Sequence, residues 1–243
     1  MAGVGPAAVD ATLLTHLHTD HCGGLTTPDG AAAFPRAELL LSAAEAAYWL
    51  DPANAGAAPG GAKPVFTAAQ AAVAPYRGRM RTFDGDQPAQ GLHPVPLPGH
   101  TPGHTGYLLD DAGARLLIWG DVMHVPDVQA ARPDVGAFDS DPVAAIASRR
   151  RALEMAVSEH LIVAGMHLHF PAFTRITRTG SAYAPAVPTH WCRSFGCRSS
   201  SPAPPVVSLR LCGSAPPEPG RDCCPIRRRT GSAHRGGPPC CRR

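Results

Sequence analysis

The chain has 243 residues, enough for one large domain or two small ones, and a hydrophobic content of 44% supports a sizeable core. No run of about eighteen apolar residues occurs, so no transmembrane helix is expected; the start, Met1 to Pro6, shows no basic segment followed by an apolar one, so no secretory signal and a cytoplasmic location are expected. The net charge of +3 is unevenly spread: residues 188–243 carry ten Arg against Glu218 and Asp222, a net of +8, whereas residues 1–187 carry twelve Lys and Arg against seventeen acids, a net of −5.

In chain order, residues 9–15 read as a buried strand around the apolar run Ala11-Thr12-Leu13-Leu14. Directly after it comes Thr15-His16-Leu17-His18-Thr19-Asp20-His21-Cys22-Gly23-Gly24. In extended chain, residues two apart share a side, so His16 and His18 converge on one ion. Asp20 and His21 lie past the strand and are turned towards a neighbouring position. Imidazole with carboxylate suits zinc, iron or manganese better than calcium or magnesium. Cys22 reads as a small packed residue. A short helix after Gly24 ends at the turn signal Pro28-Asp29-Gly30.

Ala37 to Leu41 is the next strand. Ser42 caps a helix from Ala43 to Leu50, with Glu45 completing a capping box. Tyr48-Trp49 reads as helix core, a pocket-lining role being the alternative. Asp51 to Lys63, rich in Gly, Pro and Ala, reads as a mobile loop. A helix over Ala68–Tyr76 precedes short strands at Arg81–Phe83 and Leu92–Val95. Pro98-Gly99-His100-Thr101-Pro102-Gly103-His104-Thr105 then sets a histidine in a glycine- and proline-bounded loop. His104–Leu109 and Ala114–Trp119 form a hairpin, its second strand leading into Gly120-Asp121.

Asp141 and Pro142 start a helix that runs through Val157, and its Arg149-Arg150-Arg151 run reads as a solvated face. Leu161 to Ala164 is the last strong strand and leads to His167. Each candidate ligand therefore sits where a strand meets a loop. Past Thr179 the periodicity fails. Residues 188–243 cluster Pro, Arg, Cys, Ser and Gly and read as a disordered or out-of-frame tail. The spacing of Cys223-Cys224 and Cys240-Cys241 does not match a zinc module, and a basic nucleic-acid arm is the alternative reading of this segment.

Together, the His-x-His-x-Asp-His run at 16–21, the Gly-His-Thr-Pro-Gly-His loop, the Gly120-Asp121 pair and the late His167 resemble the metallo-β-lactamase-fold hydrolases. Gly120 to Val125, Val128-Gln129, Phe138 to Pro142 and His167 to Pro171 resemble the branch holding methyl parathion hydrolase and related quorum-quenching lactonase-like enzymes. The resemblance spans roughly residues 9–183. It implies an α/β fold, the metallo-β-lactamase αβ/βα sandwich, over residues 1–187. That sandwich is expected to be N-terminally truncated, because family members carry several strands ahead of the first motif and His16 leaves room for one.

The same resemblance implies the site. His16, His18 and His100 would hold one metal and Asp20, His21 and His167 the other, with Asp121 bridging. The expected cofactors are two divalent ions, zinc first and iron or manganese as alternatives. A hydroxide shared by two metals roughly 3.5–4 Å apart would attack an ester, lactone or phosphotriester. Asp20 would orient the water or take its proton. His124 would polarise a substrate oxygen, a structural hydrogen bond being the alternative. His104 is expected to fix the loop behind the ligands, His169 to compete with His167, and His93, His160, His190 and His234 to play no part. The alternatives are a glyoxalase-type thioesterase, an iron-dependent sulfur dioxygenase and an inactive fragment. Expected partners are a small-molecule substrate and a second copy in a homodimer, with neither membrane nor nucleic acid.

Overall fold

The computed structural model describes residues 4–111, 113–136 and 138–186. The expectations for residues 188–243, including the cysteine pairs, His190 and His234, lie outside the described residues.

A three-stranded parallel sheet has the order β1 (Ala11–Leu13), β2 (Glu38–Ser42), β3 (Met80–Phe83), with Thr12 opposite Leu39 and Leu40 opposite Arg81. A one-turn helix, α1 (Thr19–Cys22), follows β1, and α2 (Ala43–Leu50), α3 (Pro52–Ala57) and α4 (Lys63–Val73) connect β2 to β3. The central strand β2 reads Glu-Leu-Leu-Leu-Ser without alternation, as a parallel strand covered on both faces does. Its Leu39, Leu40 and Leu41 are all buried, each contributing about 1.5–3 kcal/mol.

The second sheet runs β4 (Leu92–Pro96), β5 (Thr105–Asp111), β6 (Ala114–Ile118), β7 (Ile162–Ala164), β8 (Phe173–Thr179), β9 (Ala182–Ala186). It is antiparallel except where β6 meets β7, with Leu117 opposite Val163. That parallel pair needs a crossover, which α5 (Pro126–Gln129) and α6 (Pro142–Ser158) supply. Leu40 and Phe83 of one sheet meet Tyr107 of the other between the layers. Trp49, Phe66 and Tyr76 pack with Leu39 and Leu41 on one outer side; Leu153 and Ala152 of α6 pack with Leu117 and Val163 on the other. The result is a helix–sheet–sheet–helix sandwich. Among the described residues no helix is long and apolar enough to cross a membrane.

Several expectations are corrected. The segment 51–63 is not a loop throughout: Asp51 caps α3 by accepting Ala53 N–H at 2.8 Å, and Pro52 fills the first helical position. The next helix begins at Lys63 rather than Ala68, with Pro64 in its first turn. Two strands follow the expected last one. The second, β9, carries Pro185 on the edge strand of the sheet, where a missing N–H is tolerated. Arg149 is not on a solvated face. It is 1% exposed, while Arg150 and Arg151 are exposed.

Candidate metal centre

The candidate ligands all follow C-terminal strand ends: His16 to His21 after β1, His100 after β4, Asp121 and His124 after β6, and His167 after β7. The first run leaves β1 in extended conformation, and His18 becomes the N-cap of α1 with its carbonyl accepting Cys22 N–H at 2.9 Å. Leu17 points into the core, fully buried, which sends His16 and His18 to the opposite side.

The His100 loop is wedged between two helix starts. A Cβ on Gly99, which has φ +128°, would lie 2.0 Å from Ala145 N of α6, and one on Gly103 would lie 2.0 Å from Glu45 N of α2. Neither position admits a side chain. Thr105 N–H donates to Thr15 O at 3.0 Å and ties the loop's exit to the start of the histidine run.

The ligand-capable atoms converge in two sets. One nitrogen each from His16, His18 and His100 forms the first, and Asp20, His21, Asp121 and His167 form the second, with atoms within each set no more than 4.8 Å apart. His18 Nδ1 faces His100 Nε2 at 2.8 Å. Asp121 lies at the centre, 2% exposed: Oδ1 is 3.1 Å from His21 Nε2, and Oδ2 is 3.2 Å from His167, 3.4 Å from His124, 3.5 Å from His100 and 3.7 Å from His16. His100, Asp121 and His124 make a third overlapping set.

Burial works to raise the Asp121 carboxyl, but the His124 and His21 rings hold it well below the usual carboxylate range. Burial first and the neighbouring His104 second keep His16 neutral at ordinary pH, and burial followed by His100 lowers His18 to about 4. Neutral imidazoles and an ionised carboxylate are the protonation states that bind metal. A cation also fits the unsatisfied atoms. His16 Nε2, His21 Nε2, Asp121 Oδ1 and His124 Nδ1 are buried and lack a hydrogen-bond partner, which a native interior rarely leaves uncompensated.

Behind these groups stand residues that fix them. His104 accepts Asp121 N–H on Nε2 at 3.0 Å, so its Nδ1–H donates to Leu97 O at 3.0 Å. His100 donates from Nδ1 to Asp139 Oδ1 at 3.3 Å, leaving Nε2 free to face the site. Asp139 in turn accepts from Arg149 at 3.3 Å, and the guanidinium also donates to Val122 O at 2.7 Å and Pro133 O at 2.9 Å. Burial pushes the Asp139 carboxyl up, and His100 and Arg149 overcome it, so the group sits below its ordinary value. Gln129 receives the backbone N–H of His124 at 2.6 Å and of Val125 at 2.9 Å. Sequence reasoning missed Asp139, Arg149 and Gln129 as supports, because each works through backbone or ring atoms supplied by loops.

His169 is not brought to the ligands. It is 74% exposed and pairs with Asp127 at 2.9 Å. Tyr48-Trp49 divides: Trp49 is buried against Phe66 with ring centroids 4.5 Å apart and also edges onto His18 at 5.4 Å. Beside Asp20 and His21 opens a cavity of about 330 Å³ walled by Leu13, Leu14, Ile118, Ala164 and Phe173.

A family model described as the metallo-beta-lactamase superfamily matches residues 1–167. The chain is 33% identical to a solved hydrolase of the beta-lactamase superfamily, AbOPH, with a TM-score of 0.71, covering 76% of this chain and 66% of that one. AidC, a dizinc quorum-quenching lactonase solved with a product homoserine, shares 22% identity at a TM-score of 0.70, over 77% of this chain and 67% of that one. A solved N-acyl homoserine lactone hydrolase shares 20% identity at a TM-score of 0.51, over 70% and 64% of the two chains. The last two likenesses speak for the fold alone. The chain thus spans about two thirds of the length of these structures. No curated protein matches it.

Proposed function

The chain belongs to the metallo-beta-lactamase superfamily, and from that premise we propose that it is a dinuclear metal-dependent hydrolase acting on an ester, lactone or phosphotriester. The observation that carries this reading is the shared position of Asp121, whose two oxygens face imidazoles of both ligand sets. His16, His18 and His100 would hold one ion and Asp20, His21 and His167 the other. Two such ions, zinc being the best match to a histidine-rich set, would supply Lewis acidity and a water acidic enough to act as nucleophile near neutral pH.

The chain's own residues do the rest. Asp20 is 58% exposed, with an oxygen 3.7 Å from His167, and would orient an entering water and take its proton. His124, with Nε2 3.4 Å from Asp121, would steady a substrate oxygen; the Phe138 ring stands 5.5 Å from it, 82% exposed. The apolar cavity beside Asp20 and His21 suits the hydrocarbon part of a small substrate.

The superfamily match and the hydrolase neighbour at 33% identity support the reaction class, and no observation favours a thioesterase or dioxygenase over it. The test is elemental analysis of the desalted chain, followed by a panel of lactones, aryl esters and phosphotriesters. About two zinc ions per chain and turnover of one class are expected. One iron with oxygen consumption, or no metal, would refute the reading.

A further inference from the structure

Glu45, in the first turn of α2, is fully buried. In a capping box its carboxylate would reach back to the N–H of Ser42. Only half of that motif forms: Ser42 Oγ accepts Glu45 N–H at 3.2 Å, and the Glu45 side chain turns the other way. Oε1 accepts Leu17 N–H at 2.9 Å. Oε2 accepts the Thr101 hydroxyl at 2.6 Å and Gly103 N–H at 3.0 Å. Leu17 lies between His16 and His18, and Thr101 and Gly103 follow His100. One carboxylate therefore binds both loops that carry the three-histidine set.

The local packing reinforces this. Ser42 Oγ–H donates to Gly103 O at 2.9 Å, so the start of α2 grips Gly103 at both its N–H and its carbonyl. An ionised carboxylate offers only acceptors, about four lone-pair directions, and so matches three inward-facing donors. An amide of the same shape does not match, because its NH₂ must face Leu17 N–H or Gly103 N–H.

We propose that Glu45 is a positioning residue for the His16, His18 and His100 set, holding the two loops at the separation one ion requires. The inference depends on the proposed reading of those histidines as ligands of one ion. A merely structural Glu45 would lower stability without distinguishing one metal position from the other.

The experiment uses the full chain, freed of metal by a chelator and titrated with cobalt(II), followed by visible absorption and calorimetry. His16→Ala identifies which of two binding events belongs to the three-histidine set, and Leu153→Ala, in the α6 core, serves as a destabilised control. Glu45→Gln is expected to weaken that event about 10- to 100-fold, the range for residues that orient ligands, and to leave the other event within about threefold. Thr101→Val, which removes one of the three donors and keeps the shape, is expected to weaken the same event by a smaller factor and carries the test if Glu45→Gln fails to fold. Equal affinities in Glu45→Gln and wild type, or equal weakening of both events as in Leu153→Ala, overturn the inference and leave the hydrolase reading standing. Failure of the wild type to bind two cobalt ions overturns both.

Discussion

Arg149 offers the sharpest separation between a reading of the sequence and a reading of the fold. As one member of an Arg-Arg-Arg run on a helix it would be worth almost nothing, since surface substitutions fall within about 0.5 kcal/mol. The structure buries it to 1% exposure, donating to Val122 O at 2.7 Å, Pro133 O at 2.9 Å, Val135 O at 3.3 Å and Asp139 at 3.3 Å. Charge-assisted bonds are individually worth about 1.5–3 kcal/mol, but they are opposed by the desolvation of the guanidinium. Breaking a buried pair by removing one member leaves the other charge unpaired and costs about 3–5 kcal/mol. Arg149→Met is therefore expected to lose about that amount in urea unfolding followed by circular dichroism, while Arg150→Met and Arg151→Met stay within about 0.5 kcal/mol. Adding Asp139→Asn to Arg149→Met should recover part of the loss, because the stranded carboxylate disappears. A loss for Arg149→Met no larger than for Arg150→Met would refute the argument.

His104 makes a pH prediction. Its folded pKa, lowered to about 3 by burial first and His100 second, lies below the ordinary value of 6.5. The unfolded chain therefore takes up a proton that the folded chain refuses, and stability falls as pH drops from 6.5 towards 3, by about 1.4 kcal/mol per pH unit from this group. In chelator-treated protein His104→Gln should flatten the stability–pH slope over that window, and an unchanged slope would sink the assignment. His169→Ala, which removes half of an exposed pair with Asp127, should change neither metal content by elemental analysis nor stability by more than about 0.5 kcal/mol. His124→Ala should keep its metal but lower kcat about a hundredfold on whichever substrate class is turned over, the scale of one lost polarising group; loss of the metal instead would make His124 a ligand.

The ligand run was legible because its chemistry is local. His16, His18, Asp20 and His21 lie within six residues, and the alternation of His16, Leu17 and His18 across an extended chain needs no partner to be inferred. The apolar run Leu39 to Leu41 was legible as a strand for the same reason. What was illegible depends on contacts distant in sequence. Arg149 reaches Val122, 27 residues away, and Glu45 reaches Gly103, 58 residues away. Glu45 even satisfied a local rule, the capping box, that the fold half overrode because two loops arrived with free N–H groups. The strand β9 failed the pattern because Ala182-Tyr183-Ala184-Pro185-Ala186 has little apolar contrast between its faces, and pairing with β8 decides it.

The supports also bear on how much of a longer relative the site needs. His100 is held from two directions: Asp139, fixed by Arg149 of α6, orients its ring, and Glu45 of α2 holds its loop. Asp121 is held by His104, which Leu97 orients. Every one of these anchors lies between Ser42 and Arg149, and every candidate ligand between His16 and His167. The scaffold for the ligands is therefore internal to residues 1–167, the span that the family model matches.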